Sequence, residues 1–121
     1  MGMYTEILIK ADVKRDLPVI VEQVLQHMFN DGEYPFVLPD HEFFNCNRWS
    51  MIGKCSSYYH IPWTDSKYSE GYLFSRSDIK NYEGEIKLFF DWFKQYVDGF
   101  EDECIGYSWY EEDDKPELIV I

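Results

Sequence analysis

Bases are scarce in this sequence: Lys and Arg number 11 against 23 Asp and Glu, a formal net charge of −12 in 121 residues. A field of that sign repels nucleic-acid phosphates and anionic lipid, so direct binding to nucleic acid or to a membrane surface is not expected. Basic protein surfaces are the partners it favours. Cysteine is scarce too, and the three present (Cys46, Cys55 and Cys104) include no close pair. That argues against a disulfide framework and for reduced thiols in a cytoplasmic protein. No apolar run approaches the roughly 20 residues that cross a bilayer. The first ten residues lack a basic stretch followed by an apolar one, so a signal peptide is not expected. Glu6 stands where an N-myristoylation motif requires Ser or Thr. The catalytic signatures of a P-loop, GxGxxG, GxSxG or HExxH are all missing.

What is abundant is aromatic and apolar: 45% hydrophobic residues, 19% aromatic, enough to build a core despite the charge. The strongest pattern lies in residues 81–100, NYEGEIKLFFDWFKQYVDGF. Ile86, Phe89, Phe90, Phe93, Val97 and Phe100 recur at spacings of three and four, the period of one helix face. The spacing predicts a helix across the whole stretch, with Asn81 as its N-cap. Leu88, Trp92 and Tyr96 widen the apolar arc to about 200°, more than a sheet face normally requires. Either a long loop covers that flank, or Leu88 and Trp92 meet a partner chain.

Read in order, residues 4–13 alternate as a strand with Thr5, Ile7, Ile9 and Ala11 toward the core. Asp16 and Pro18 open a first helix whose buried stripe is Val21, Val24, Leu25 and Met28, and Gly32 is expected to close it in a left-handed conformation. Residues 33–47 are irregular and rich in aromatic side chains, a loop packed down along the side of the sheet. Residues 48–55 and 57–63 read as two strands, and 64–70 as a polar turn. Residues 71–77, 104–110 and 117–121 complete a β-α-β-β-β-α-β-β order without a linker, so one domain spans 1–121. The expected fold is α+β: a two-layer sandwich, mostly antiparallel, with two helices on one face and a βαββαβ core with added strands as its template.

Several of these stretches together resemble a family of small phage- and prophage-encoded proteins: YTEILIKADV, LPDHEFF, RWSMIG, SYYHIPW, DIKNYEGEIKLFFDWFKQYVD and IGYSWYEEDDKPELI. NYEGEI at the helix start and GYSWYEEDDKP at the last turn are the most distinctive. The family has no established activity. The resemblance therefore implies a setting, an accessory protein of a mobile element in the host cytoplasm, and no catalytic residues.

For chemistry, His41, Cys46, Cys55, His60 and Cys104 are the residues that a zinc site or a Cys/His nucleophile would use. Their spacing matches no compact knuckle, and the acidic surroundings raise rather than lower a thiol pKa. Carboxylates are concentrated late in the chain. Residues 98–121 hold nine acids and one base, a net −8 of the total −12. Glu101, Asp102 and Glu103 with Glu111, Glu112, Asp113 and Asp114 are candidates for a divalent cation, but they lack the glycine-punctuated spacing of a calcium loop. No cofactor, no metal and no catalytic residue is expected. With Trp109 and Tyr110 interleaved, the same carboxylates suit recognition of a basic protein surface, in the manner of a nucleic-acid mimic. A net-negative surface that merely keeps an aromatic-rich chain soluble is the plainer account. The alternatives are a homo-oligomeric module joined through Leu88, Trp92 and the last strand, and a metal-dependent enzyme using the late carboxylates. The start of the acidic region just past the long helix suggests that the binding site lies beyond that helix end, where acids oppose the helix dipole.

Overall fold

The computed structural model describes residues 4–54, 66–69 and 71–121. Among them, five strands form one antiparallel sheet: β1 (Thr5–Asp12), β2 (Ser66–Ser69), β3 (Tyr72–Ile79), β4 (Cys104–Tyr110) and β5 (Glu117–Val120), in the order β2-β3-β1-β4-β5. Helix α1 (Val19–Asn30) connects β1 to β2, and α2 (Glu85–Phe93) connects β3 to β4. The first four strands with their two crossover helices have the split βαβ arrangement of ferredoxin-like folds, and β5 extends the sheet beyond β4. The α+β two-layer architecture read from the pattern is therefore present, with both helices over one face of the sheet.

Strand alternation sets the two faces. Thr5, Ile7, Ile9 and Ala11 of β1 are buried toward the helices, level with Ile79, Ser77, Ser75 and Leu73 of β3. From α1, Val21, Val24, Leu25, Met28 and Phe29 close on this face, and from α2, Ile86, Phe89, Phe90, Trp92 and Phe93. Asn30 ties α1 to β2 by two bonds with Tyr68: its Nδ2 donates to the carbonyl at 2.5 Å, and its Oδ1 accepts the N–H at 2.9 Å.

Trp92 does not look outward. It is 1% exposed, enclosed by the rings of Phe43, Phe44, Phe89 and Tyr96 at centroid distances of 6.3, 4.9, 6.0 and 5.4 Å. Phe43 and Phe44 belong to a 3₁₀ turn, Glu42–Asn45, whose start is capped by His41, the ring Nδ1 accepting from the Phe43 N–H at 3.0 Å. The aromatic loop thus covers α2 rather than the side of the sheet, and it removes Trp92 from any contact between chains; Leu88 is half-buried against the same core.

Further expectations are corrected. Residues 48–54 form no strand: Trp49–Met51 is a 3₁₀ turn that sends Trp49 into the Phe43–Phe44 cluster. The apolar alternation of Trp49, Met51 and Gly53 was too short to separate the two conformations. The proposed strand at 57–63 lies outside the described residues, whereas β2 occupies part of the stretch read as a polar turn. α1 begins after Pro18, with Asp16 not acting as the cap, and it ends with Asp31, not Gly32, in the left-handed region at φ 56°.

The long helix is shorter than its periodicity. It passes into a 3₁₀ turn at Lys94–Tyr96, after which Val97 becomes extended and bridges Val13 of the neighbouring strand segment. Val97 is buried from that extended position, and Phe100 is 72% exposed. At the other end the helix starts at Gly84, with φ 72°, and the Asn81 Oδ1 reaches forward to accept the Ile86 N–H at 3.1 Å. Asn81 therefore supplies capping chemistry from outside the helix.

Candidate functional site

Strand β4 separates the two groups of late carboxylates. Glu101, Asp102 and Glu103 precede it, and Glu111, Glu112, Asp113 and Asp114 follow it. Seven extended residues span roughly 23 Å at about 3.3 Å each. The sequence suggested one acidic surface; the fold makes two, at opposite ends of the sheet.

The first group is used to build a turn. The Glu103 N–H donates to the Phe100 carbonyl at 3.0 Å, and the Phe100 N–H returns to Glu103 Oε1 at 3.3 Å. Asp102, at φ 68°, donates its N–H to the Ile121 carbonyl at 2.8 Å. These acids do not crowd a helix terminus, because the helix has already ended at Tyr96 with Lys94 in its last turn. The expected conflict with the helix dipole is absent.

The second group forms the tip of the β4–β5 hairpin and is held more firmly. The Asp113 N–H donates to the Tyr110 carbonyl at 2.9 Å, and the Trp109 indole Nε1–H donates to the Asp113 carbonyl at 2.9 Å. The tip is also tied to the start of β1: the Glu111 N–H donates to the Tyr4 carbonyl at 3.1 Å, and the Tyr4 N–H donates to Glu111 Oε1 at 3.0 Å. All four acids of the tip are exposed, and Trp109 and Tyr110 are each 37% exposed. The two rings flank the tip on opposite faces, since Tyr110 is level with the inward Thr5 and Trp109 with the outward Glu6.

Behind Trp109 lies the outer sheet face, which alternation alone did not mark as a candidate surface. Arg76 Nε pairs with Glu6 Oε2 at 3.2 Å, and the Tyr107 hydroxyl donates a short hydrogen bond to the same oxygen. Burial, then the bond to Glu6 and the carboxylate charge, push the Tyr107 phenol up to about 12. The Tyr107 and Trp109 rings meet edge to face at 6.1 Å, and Leu8, Phe74, Leu118 and Val120 share this face. The signal was present in the two-residue period of Leu8, Tyr107 and Trp109, but a strand pattern does not say which face remains uncovered.

On the helix side, α2 leaves a groove of about 610 Å³ beside β4 and β5, lined by residues that include Asn81, Lys87, Lys94, Tyr110 and Glu117. Two lysines, Lys87 and Lys94, thus share this groove with the carboxylates of Asp91, Asp113 and Glu117.

The zinc and thiol candidates are dispersed. His41 caps the 3₁₀ turn, and Cys46 is buried nearby with its thiol pKa raised by desolvation and by Glu83 and Glu85. Cys104 is exposed at the far end of β4, its Sγ–H directed at the Gly106 carbonyl. Cys55 and His60 lie outside the described residues. Among the described residues no three His, Cys, Asp or Glu side chains converge as a metal site, and no helix is long and apolar enough to cross a membrane. Comparison with protein-family models, with curated proteins and with solved structures finds no match.

Proposed function

We propose that this chain acts by binding, and that its recognition element is the hairpin tip formed by Trp109, Tyr110, Glu111, Glu112, Asp113 and Asp114, which engages a basic protein surface. The observation that carries this reading is a rigid tip with two half-exposed aromatic rings beside four exposed carboxylates. Pre-organised acids lose little entropy on docking, and Trp and Tyr are the side chains that most often anchor an interface. A purely solubilising charge has no need of a turn fixed by an indole and by a neighbouring strand. In the mobile-element setting that the resemblance implies, the partner is a basic host protein whose phosphate-binding groove the carboxylates fill.

Glu101, Asp102 and Glu103 are not part of this surface, because they serve another turn about one strand length away. Affinity capture with the chain as bait, followed by elution at rising salt, tests the proposal. Reversing Glu111, Glu112, Asp113 and Asp114 to Lys should abolish capture of basic proteins, whereas reversing Glu101 and Asp102 should leave it. Capture that survives the tip reversal unchanged would overturn the proposal.

A further inference from the structure

Strand β5 is an edge of the sheet, and among the described residues nothing pairs with its outer side. Ile121 directs its N–H and carbonyl inward, to Glu103 and Asp102 respectively. By alternation, Leu118 and Val120 therefore turn their backbone N–H and C=O groups to the open edge. Natural edges are usually blunted by a central Lys, a Pro or a bulge. The opposite edge, β2, carries Lys67 in the middle of its four residues. β5 has none of these within Glu117–Val120, its bulge being on the β4 side, and it presents Leu118 at 64% exposure with Val120 beside it.

We propose that β5 pairs with β5 of a second copy of this chain, antiparallel about a two-fold axis at Ile119, extending the sheet continuously across two molecules. The register follows from the side chains. Centring the pair on Ile119 sets Leu118 opposite Val120 of the second copy, twice by symmetry, which makes an apolar pair on the outer face. It also sets Glu117 opposite the second copy's Ile121. There the groove supplies a base. β5 runs parallel to β1, and α2 runs in the same direction, because its end is joined to Asp12 and Lys14 by the Asp98 N–H to Asp12 carbonyl and Lys14 N–H to Tyr96 carbonyl bonds. α2 and β5 thus advance together along the groove, so Lys87 lies toward its Glu117 end and Lys94 toward its Val120 end. The same groove holds Lys87, Lys94 and Glu117. Across the axis, each Glu117 meets the second copy's Lys94, giving two equivalent ion pairs.

Pairing of so short an edge buries less than the roughly 800 Å² per partner of a standard interface, which implies a weak dimer. It also brings the 111–114 turn of one copy to the same end as the 101–103 turn of the other. Repulsion between them makes self-association weakest at low ionic strength and stronger as salt screens it. That salt dependence is opposite in sign to the one expected for a basic partner at the tip.

Sedimentation velocity of the full chain over a wide concentration range is the test. The expected result is a rise toward twice the 14.6 kDa of one chain, steeper at moderate salt. Leu118→Lys, at an exposed position, should leave the far-ultraviolet circular dichroism unchanged and abolish the rise. Lys94→Glu and Glu117→Lys should each weaken association by at least about tenfold, and the double exchange should restore it by re-forming the pair with reversed polarity. A chain that stays monomeric at millimolar concentration overturns the proposal, and so does a dimer indifferent to Leu118→Lys. A dimer blocked by Leu118→Lys but not rescued by the double exchange overturns the register.

Discussion

Replacing Trp92 by Ala tests the packing on which the fold depends. The indole is 1% exposed and is surrounded by four aromatic rings, two of them from the Glu42–Asn45 turn. A buried Trp removes about 150–250 Å² from water, which at about 25 cal/mol per Å² corresponds to about 4–6 kcal/mol. Measured Trp→Ala losses in cores fall at about 3–5 kcal/mol, because neighbours relax partly into the cavity. The prediction is a fall of about 3–5 kcal/mol in unfolding free energy, read from the urea midpoint at unchanged slope. Since domains of this kind hold about 5–15 kcal/mol in total, the variant should be folded but close to its limit. Trp109→Ala is the control: with a half-exposed ring and one indole hydrogen bond to lose, it should cost less than about 2 kcal/mol. A Trp92→Ala loss below about 1 kcal/mol, accompanied by a change in sedimentation, would refute the reasoning and return this residue to an interface role.

Two further predictions concern the sheet. A Cβ on Gly106 would lie 1.9 Å from the Leu8 carbonyl oxygen, a backbone atom that cannot swing aside; Gly106→Ala should therefore lower stability by more than about 2 kcal/mol in the same urea assay. Tyr107 titrates at about 12 in the folded chain against an ordinary 10.0. The neutral phenol is the favoured form in the folded state, so its contribution is complete below about pH 10 and is lost as pH rises from about 10 to about 12. Tyr107→Phe should flatten the stability profile in that window and remove one phenol that titrates near 12 from the tyrosinate absorbance curve; an unchanged curve would contradict the bond to Glu6.

Much of the architecture was legible because periodicity reports burial. The alternation of Thr5, Ile7, Ile9 and Ala11 and the stripe of Val21, Val24, Leu25 and Met28 hold in the fold as the pattern implied. The failures have physical causes. Val97 fits a helical period, yet it is buried as an extended residue bridged to Val13, since burial and not conformation is what the pattern detects. β2 was missed because SKYS has one large apolar side chain, Tyr68, and owes its place to pairing with β3 and to Asn30. Trp92 was ambiguous because only the tertiary fold decides whether Phe43 and Phe44 lie over it. The candidate site was half legible. Its acids and aromatics were evident, and residues 104–110 read as the strand they form, but closeness in sequence joined Glu101–Glu103 and Glu111–Asp114 into one surface although seven extended residues hold them apart.

The central claim is that the hairpin tip, and not the acidic surface at large, recognises basic proteins. Its most direct test is a nuclear magnetic resonance titration of the isotopically labelled chain with a peptide rich in lysine and arginine. The Trp109 indole N–H is the reporter, because it already donates to the Asp113 carbonyl within the tip. The account predicts saturable shifts at that indole and at the amides of residues 109–114, lost on charge reversal of the tip. Shifts of equal size at Glu101, Asp102 and Glu103, or a Trp109 signal that does not move, would contradict it.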